Sequence, residues 1–189
     1  MLILASRSPR RQEILERAGI SFLTRPAEVD ETLRDGEDAC VYVKRLAREK
    51  AEAVAAAPED LVLGADTVVV VESEILGKPA DSADAARMLR MLSGREHIVM
   101  TGICLVNRKG AVEDVEQTRV RFVSLSDEEI SEYVASGEPL DKAGAYAIQG
   151  LASKFIDRVE GCYFNVVGLP IARVYRHLEF LHSTGGAPQ

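Results

Sequence analysis

The run LVLGADTVVVV at residues 61–71 restricts this chain more than anything else in it. It is valine-rich, almost unbroken and without alternation, so it predicts a strand covered on both faces at the centre of a sheet. The cover must come from the flanking patterns. Residues 2–5 form a short apolar run, and Ser8 followed by Pro9 reads as a helix start, with serine capping and proline at the first helical position. Ile14, Leu15 and Ala18 line one face of that helix, and Gly19 ends it. Residues 20–35 read as irregular or as a second strand. A strong helical pattern covers 37–57, with Val43, Leu46, Ala47 and Val54 on one stripe and Pro58 closing it.

Beyond the central run, Glu72, Ser73 and Glu74 predict a turn, and residues 83–92 a helix stopped by Gly94. Two extended segments, 97–106 and 112–125, are joined by a breaker-rich turn at 107–110 and predict a long hairpin. Ser126 with Glu129 makes a capping box ahead of Ile130, Tyr133 and Val134, and Gly137 and Pro139 end that helix. Residues 140–168 read as strands joined by tight glycine turns. A last helix over 170–181 places Ile171, Val174, Leu178 and Leu181 on one face, and 183–189 reads as a disordered tail. Strands alternating with helices, plus one antiparallel hairpin, predict a single α/β domain over 1–182 around a mixed sheet.

Two residue groups break local rules. Arg10 and Arg11 sit in the first turn of the first helix, where the macrodipole disfavours each cation by about 0.3–1 kcal/mol. Either they turn outward to surface carboxylates, or they face an anion together with the helix amides and the Ser6 and Ser8 hydroxyls; the strand-loop-helix context favours phosphate. Asp66 interrupts the most apolar stretch, and an unpaired buried carboxylate costs several kcal/mol. An Asx turn or bulge would explain it structurally. The functional reading, an acid in an active site, is preferred. Thr67 beside it either contacts a ligand or simply suits a strand.

Lys50 falls on the apolar stripe of its helix, either snorkelling to solvent or aimed at phosphate. Lys78, between Gly77 and Pro79, sits in a stiff loop that would hold it toward a ligand. Glu31 is an ordinary loop acid unless a second carboxylate lies near; with Asp66 it makes a donor pair for a hard divalent cation. Tyr146 and Gln149 lie in the glycine-flanked AGAYAIQG loop, where they either pack the turn or contact a base. Charge matters to this reading, because 30 acidic residues against 23 basic ones give a net −7. That argues against broad binding to nucleic acid or anionic membrane, and a polyanion must meet a local basic patch.

Other chemistries lack their motifs. There is no GxxxxGK(S/T) loop, no GxGxxG after a strand, no GxSxG elbow, and His97, His177 and His182 are scattered. Cys40, Cys104 and Cys162 are odd in number and widely spaced, which suggests neither a disulfide framework nor a zinc site and fits a reducing compartment. The opening MLILASRSPRR has too short an apolar stretch for a signal peptide, and no segment approaches ~20 apolar residues, so a cytoplasmic protein is expected.

Assembled in order, ASRSPRR at 5–11, VDE at 29–31, LAREKA at 46–51, GADTVV at 64–69, LGKP at 76–79, SGREHIVMTG at 93–102, SGEPLDKAGAYAIQG at 136–150 and NVVGLP at 165–170 resemble the Maf family of nucleoside triphosphate pyrophosphatases. The resemblance spans nearly everything from residue 2 to 181. It implies a fold like that of the inosine triphosphate pyrophosphatases, an elongated mixed sheet with flanking helices in two lobes around a nucleotide cleft. It makes Asp66 the proton acceptor, associates Arg11, Thr67 and Gln149 with substrate choice, and sets Ser6, Arg10, Glu31, Lys50 and Lys78 along the cleft. The AGAYAIQG form is similar to the branch acting on dTTP and UTP. The implied reaction gives the monophosphate and pyrophosphate, with Mg²⁺ or Mn²⁺ at Glu31 and Asp66. A homodimer would fit the family. The competing readings are a non-catalytic nucleotide-binding regulator linked to septum formation, and a pyrophosphatase preferring purine or methylated nucleotides.

Overall fold

A computed structural model describes residues 1–54, 57 and 59–184, with side chains to Leu181. Pro58, expected to close the second helix, and most of the expected tail lie outside the described residues. Residues 183 and 184 instead continue the last helix.

From the N-terminus, β1 (Leu2–Leu4) leads to α1 (Pro9–Arg17), β2 (Phe22–Thr24) and α2 (Ala39–Glu52). Then come β3 (Leu61–Val71), β4 (Glu74–Leu76), α3 (Ser82–Leu92), β5 (Glu96–Asn107) and β6 (Gly110–Phe122). The chain finishes with α4 (Asp127–Ala135), β7 (Ile156–Glu160), α5 (Tyr163–Val167) and α6 (Ile171–Thr184). One mixed sheet runs β2-β1-β3-β5-β6-β7, with β4 also paired to β3. β1 is parallel to both neighbours, with Ile3 opposite Leu23 and Val62, whereas β4 and β7 are antiparallel to β3 and β6. The α/β mixed sheet with flanking helices is therefore as expected, as is the hairpin of β5 and β6.

β3 answers its sequence pattern: it continues through Asp66 as a single strand, with Val62, Leu63, Ala65, Val68, Val69 and Val71 buried. Contacts group the chain into two compact units. One comprises Met1–Asp66, Thr101–Glu116 and the chain from Gly168; the other comprises Thr67–Met100 and Gln117–Val167. In the first unit, one apolar cluster gathers Ile3, Ala5, Ala47, Ala51, Val62 and Cys104, and Leu15, Leu46 and Leu63 are fully buried in the same unit. Small residues let α2 lie close on β3, and Gly64 is where the backbones meet: a Cβ there would stand 1.9 Å from the Ala47 carbonyl oxygen. The core of the second unit adds aromatic rings to its aliphatic groups, with Phe122, Tyr133, Tyr146 and Phe155 beside Leu89. Its rings meet edge to face, Phe122 with Tyr146 at 4.9 Å and Tyr133 with Phe155 at 5.6 Å.

Three local expectations change. Ser8 stands at the N-cap of α1 with Pro9 following, but its side chain makes no capping bond; its own N–H donates to Ser6 Oγ instead. The turn at 72–74 shrinks to Glu72 and Ser73, both at positive φ, and this reversal pairs β4 with the end of β3. Residues 140–168 hold one strand, β7, rather than several joined by turns. Short 3₁₀ segments, Glu138–Asp141, Ala143–Ala145 and Leu151–Phe155, replace the others, followed by β7 and α5. Such single turns have no hydrophobic period to read, and the apolar residues there anchor them to the core rather than line a sheet face. No helix among the described residues is long and apolar enough to cross a membrane.

Candidate active site

Asp66 and Lys50 meet because α2 lies on β3 at Gly64. Lys50 is on the last turn of α2, and its Nζ donates to Asp66 Oδ1 at 2.6 Å. The same ammonium lies 2.6 Å from Glu31 Oε1. Lys50 is 9% exposed and Asp66 8%, so the lysine neither snorkels to solvent nor stands on an exposed surface. Glu31 approaches from the irregular segment between β2 and α2. Tyr42 Oη donates to the Glu31 carbonyl at 2.7 Å, and Arg45 donates to the Thr32 carbonyl at 3.1 Å. Arg45 is in turn fixed by two bonds to the Glu37 carboxylate, which hold that acid down to about 2.

Arg11 points inward. Its Nη1 donates to Ser6 Oγ at 3.1 Å and to the Ala65 carbonyl at 2.9 Å, and its Nε donates to the Gly168 carbonyl at 2.9 Å. The outward reading of this arginine is thus set aside. The guanidinium ties the loop after β1, the strand before Asp66 and the segment ahead of α6 into one frame. Burial lowers the Arg11 proton affinity, while the charge of Asp66 opposes that effect. Burial likewise raises the Asp66 carboxyl above its ordinary range, against the pull of Lys50 and then Arg11. Arg10 is half-buried beside Arg11 on α1.

The first unit therefore brings together Ser6, Arg11, Glu31, Lys50 and Asp66. Thr67, Lys78 and Gln149 belong to the second unit. Thr67 is half-buried on β3, and Lys78 and Gln149 are exposed. Their loops are joined, since Gly144 N–H donates to the Gly77 carbonyl at 3.0 Å. Tyr146 departs from the base-stacking reading: it is 6% exposed, enclosed by Phe122 and His97, with its hydroxyl 2.8 Å from His97 Nε2. Its ring faces are spent on the core.

Between Glu31 and Asp66, where a divalent cation was expected, the ammonium of Lys50 sits. No group of three or more His, Cys, Asp or Glu side chains converges on a metal position among the described residues. Two carboxylates directed at one cation are still a donor set that Mg²⁺ accepts, because it completes its shell with water and substrate phosphates.

The sequence profile of the Maf-like protein family matches residues 1–181. The chain belongs to the Maf-like family. A protein of Koribacter versatilis named dTTP/UTP pyrophosphatase is 57% identical to it over 176 residues, 93% of this chain and 91% of the relative. One of the same name from Geobacillus is 50% identical over 181 residues, 95% and 97% of the two chains. Among solved structures, the Staphylococcus aureus Ham1 protein is similar with a TM-score of 0.48 and 16% identity, over 64% of this chain and 71% of that one.

This Maf-like chain also carries site-supporting residues that the sequence reading missed. Tyr42 and Arg45 fix the segment bearing Glu31. Tyr42 stands two helical turns before Lys50, a spacing that puts both on one face of α2 and marks it in retrospect. Arg45 carries a local signal only toward Glu49 at i+4; its bonds to Glu37 and to the Thr32 carbonyl, which hold the segment, have none.

Proposed function

We propose that this protein hydrolyses dTTP and UTP to the nucleoside monophosphate and pyrophosphate. The names carried by the Koribacter and Geobacillus relatives support the substrates. Asp66 supports the chemistry: it is a carboxylate enclosed in a central strand, in contact with an ammonium and within the field of Arg11. In the proposed reaction, water attacks the α-phosphorus and Asp66 takes its proton. A bond forms between that oxygen and the α-phosphorus as the bond to the oxygen bridging the β-phosphorus breaks, and pyrophosphate leaves.

A buried carboxylate with raised proton affinity is a stronger base than one in water, and Lys50 and Arg11 keep it ionised until it is used. Arg10, Arg11, Lys50 and Lys78 neutralise charge on the phosphates, and Ser6 offers a hydroxyl to a phosphate oxygen. Glu31 and Asp66 would hold Mg²⁺ or Mn²⁺, which when bound neutralises phosphate charge and makes water more acidic. Thr67 and Gln149 select the base, with Gln149 reading the polar edge of a pyrimidine. The three free thiols support a cytoplasmic setting.

The test is a panel of purified protein with dTTP, UTP, ATP, GTP, ITP and 7-methyl-GTP, each with Mg²⁺ or Mn²⁺, following pyrophosphate release. Preference for dTTP and UTP is expected. A preference for purine or methylated nucleotides would refute the substrate assignment. Binding without turnover of any nucleotide would refute the enzyme and leave a nucleotide-binding regulator.

A further inference from the structure

The turn that carries Gln149 is held by two side chains to which the proposed chemistry gives no part. Tyr133 is on α4, is 3% exposed and packs edge to face on Phe155. The helix then ends in a hydrogen-bonded exit: Ser136 Oγ donates to the Tyr133 carbonyl at 2.6 Å and accepts from Glu138 N–H at 3.2 Å. That exit brings the Glu138 carboxylate back against Tyr133, whose hydroxyl donates to Glu138 Oε1 at 2.8 Å.

From there the pair reaches both sides of Gln149. Ala147 N–H donates to Tyr133 Oη at 3.2 Å, and Leu151 N–H donates to both Glu138 carboxylate oxygens at 3.1 Å. These amides lie two residues before and two residues after Gln149. The turn closes on itself through Gly150 N–H and the Ala147 carbonyl at 3.1 Å. Gly150 rests directly on the carboxylate, where a Cβ would meet Glu138 Oε1 at 2.2 Å. Burial and then the Glu138 carboxylate raise the proton affinity of Tyr133, so its phenol stays a donor at every working pH.

We propose that Tyr133 and Glu138 are positioning residues for substrate selection: as a clamp on the amides of Ala147 and Leu151, they hold the backbone of Gln149 so that its amide meets the pyrimidine. The proposal rests on the reading of Gln149 as the base-contacting residue. An exposed side chain on a short turn discriminates between bases only if its backbone is fixed, because a displacement of about 1 Å is enough to cost orders of magnitude in a positioned interaction. Neither clamp residue touches substrate, so its loss falls on selectivity and KM rather than on the chemical step.

The test compares kcat/KM for UTP with that for GTP in Tyr133→Phe, Glu138→Ala, Glu138→Gln and Gln149→Ala, with thermal unfolding to confirm that each variant is folded. Tyr133→Phe keeps the ring packing and removes only the hydroxyl. It and Glu138→Ala are expected to lower the UTP-to-GTP ratio about tenfold, through a higher KM for UTP, with kcat held within about threefold. Glu138→Gln keeps an acceptor oxygen and should hold the ratio within about twofold of wild type. In the Gln149→Ala background, Tyr133→Phe should add nothing further, because the clamp acts through Gln149. If Gln149→Ala shifts the ratio while folded Tyr133→Phe and Glu138→Ala leave it unchanged, the clamp is overturned and the Gln149 reading stands. If Gln149→Ala itself leaves the ratio unchanged, the Gln149 reading falls and the clamp with it.

Discussion

Lys50 stands between two acids and is the residue on which the buried charge of this site balances. Asp66 loses hydration by entering β3 and regains favourable interaction from an ammonium at 2.6 Å. Lys50→Met should therefore cost about 3 kcal/mol of unfolding free energy in urea, since it leaves a buried carboxylate without its contact partner. Repeated in Asp66→Asn, the same substitution should cost clearly less; equal costs in the two backgrounds would mean that the pair is not coupled. Arg11 has a double burden. Arg11→Ala should raise KM for dTTP, more at low salt than at high. It should also lower stability by about 1–3 kcal/mol, because the Ala65 and Gly168 carbonyls lose a charged donor. An unchanged KM at low salt would remove Arg11 from substrate binding and leave it as a brace. These charged residues were legible because each violates its surroundings: an acid in a valine run, a lysine on an apolar stripe, an arginine at a positive helix end. Tyr42, Tyr133 and Glu138 violate nothing. Apart from the bond between Tyr133 and Glu138 themselves, their partners are backbone groups brought in by the fold, and a bond to a distant backbone group leaves no pattern in a residue's own neighbourhood.

Among the elements, the packing of α2 on β3 sets the distance between the ammonium and the carboxylate. Gly64 allows it, and Gly64→Ala forces a methyl onto the Ala47 carbonyl. That substitution should destabilise the protein by about 3 kcal/mol or more, read as a lowered midpoint in thermal or urea unfolding. A midpoint equal to wild type would mean that the helix and strand can part without cost. The capping box at the start of α4 could be read directly from Ser126 and Glu129, and both of its bonds are present. β3 and the hairpin were legible for a related reason, since their signals are local or periodic. The segment after α4 was not, although its residues are apolar and glycine-rich as strands and turns would be. What organises it is the left-handed backbone at Gly137 and Gly144 together with the Glu138 clamp, and neither has a period.

The whole molecule is acidic, so a triphosphate must be drawn to a local gathering of cations against a net −7. Its stability also has an acid limit that comes from the core of the second unit. His97 is 2% exposed beside Phe122 and Tyr146, and burial holds its imidazole down at about 4, below the ordinary 6.5. The unfolded chain takes up a proton below about 6.5 that the folded chain refuses until about 4. Stability from this group is thus complete above 6.5 and lost as the pH falls toward 4, by at most on the order of 3 kcal/mol. His97→Gln, which keeps a partner for the Tyr146 hydroxyl, should show a flatter unfolding midpoint between pH 7 and 4.5 than wild type; parallel curves would assign the acid loss to other groups. Most direct for the account as a whole is pyrophosphate release from dTTP and UTP by purified Asp66→Asn beside wild type, with nucleotide affinity and unfolding midpoint measured on the same samples. Turnover reduced at least ~10²-fold, with affinity and fold retained, is the predicted result. Undiminished pyrophosphate release from the folded variant would contradict it.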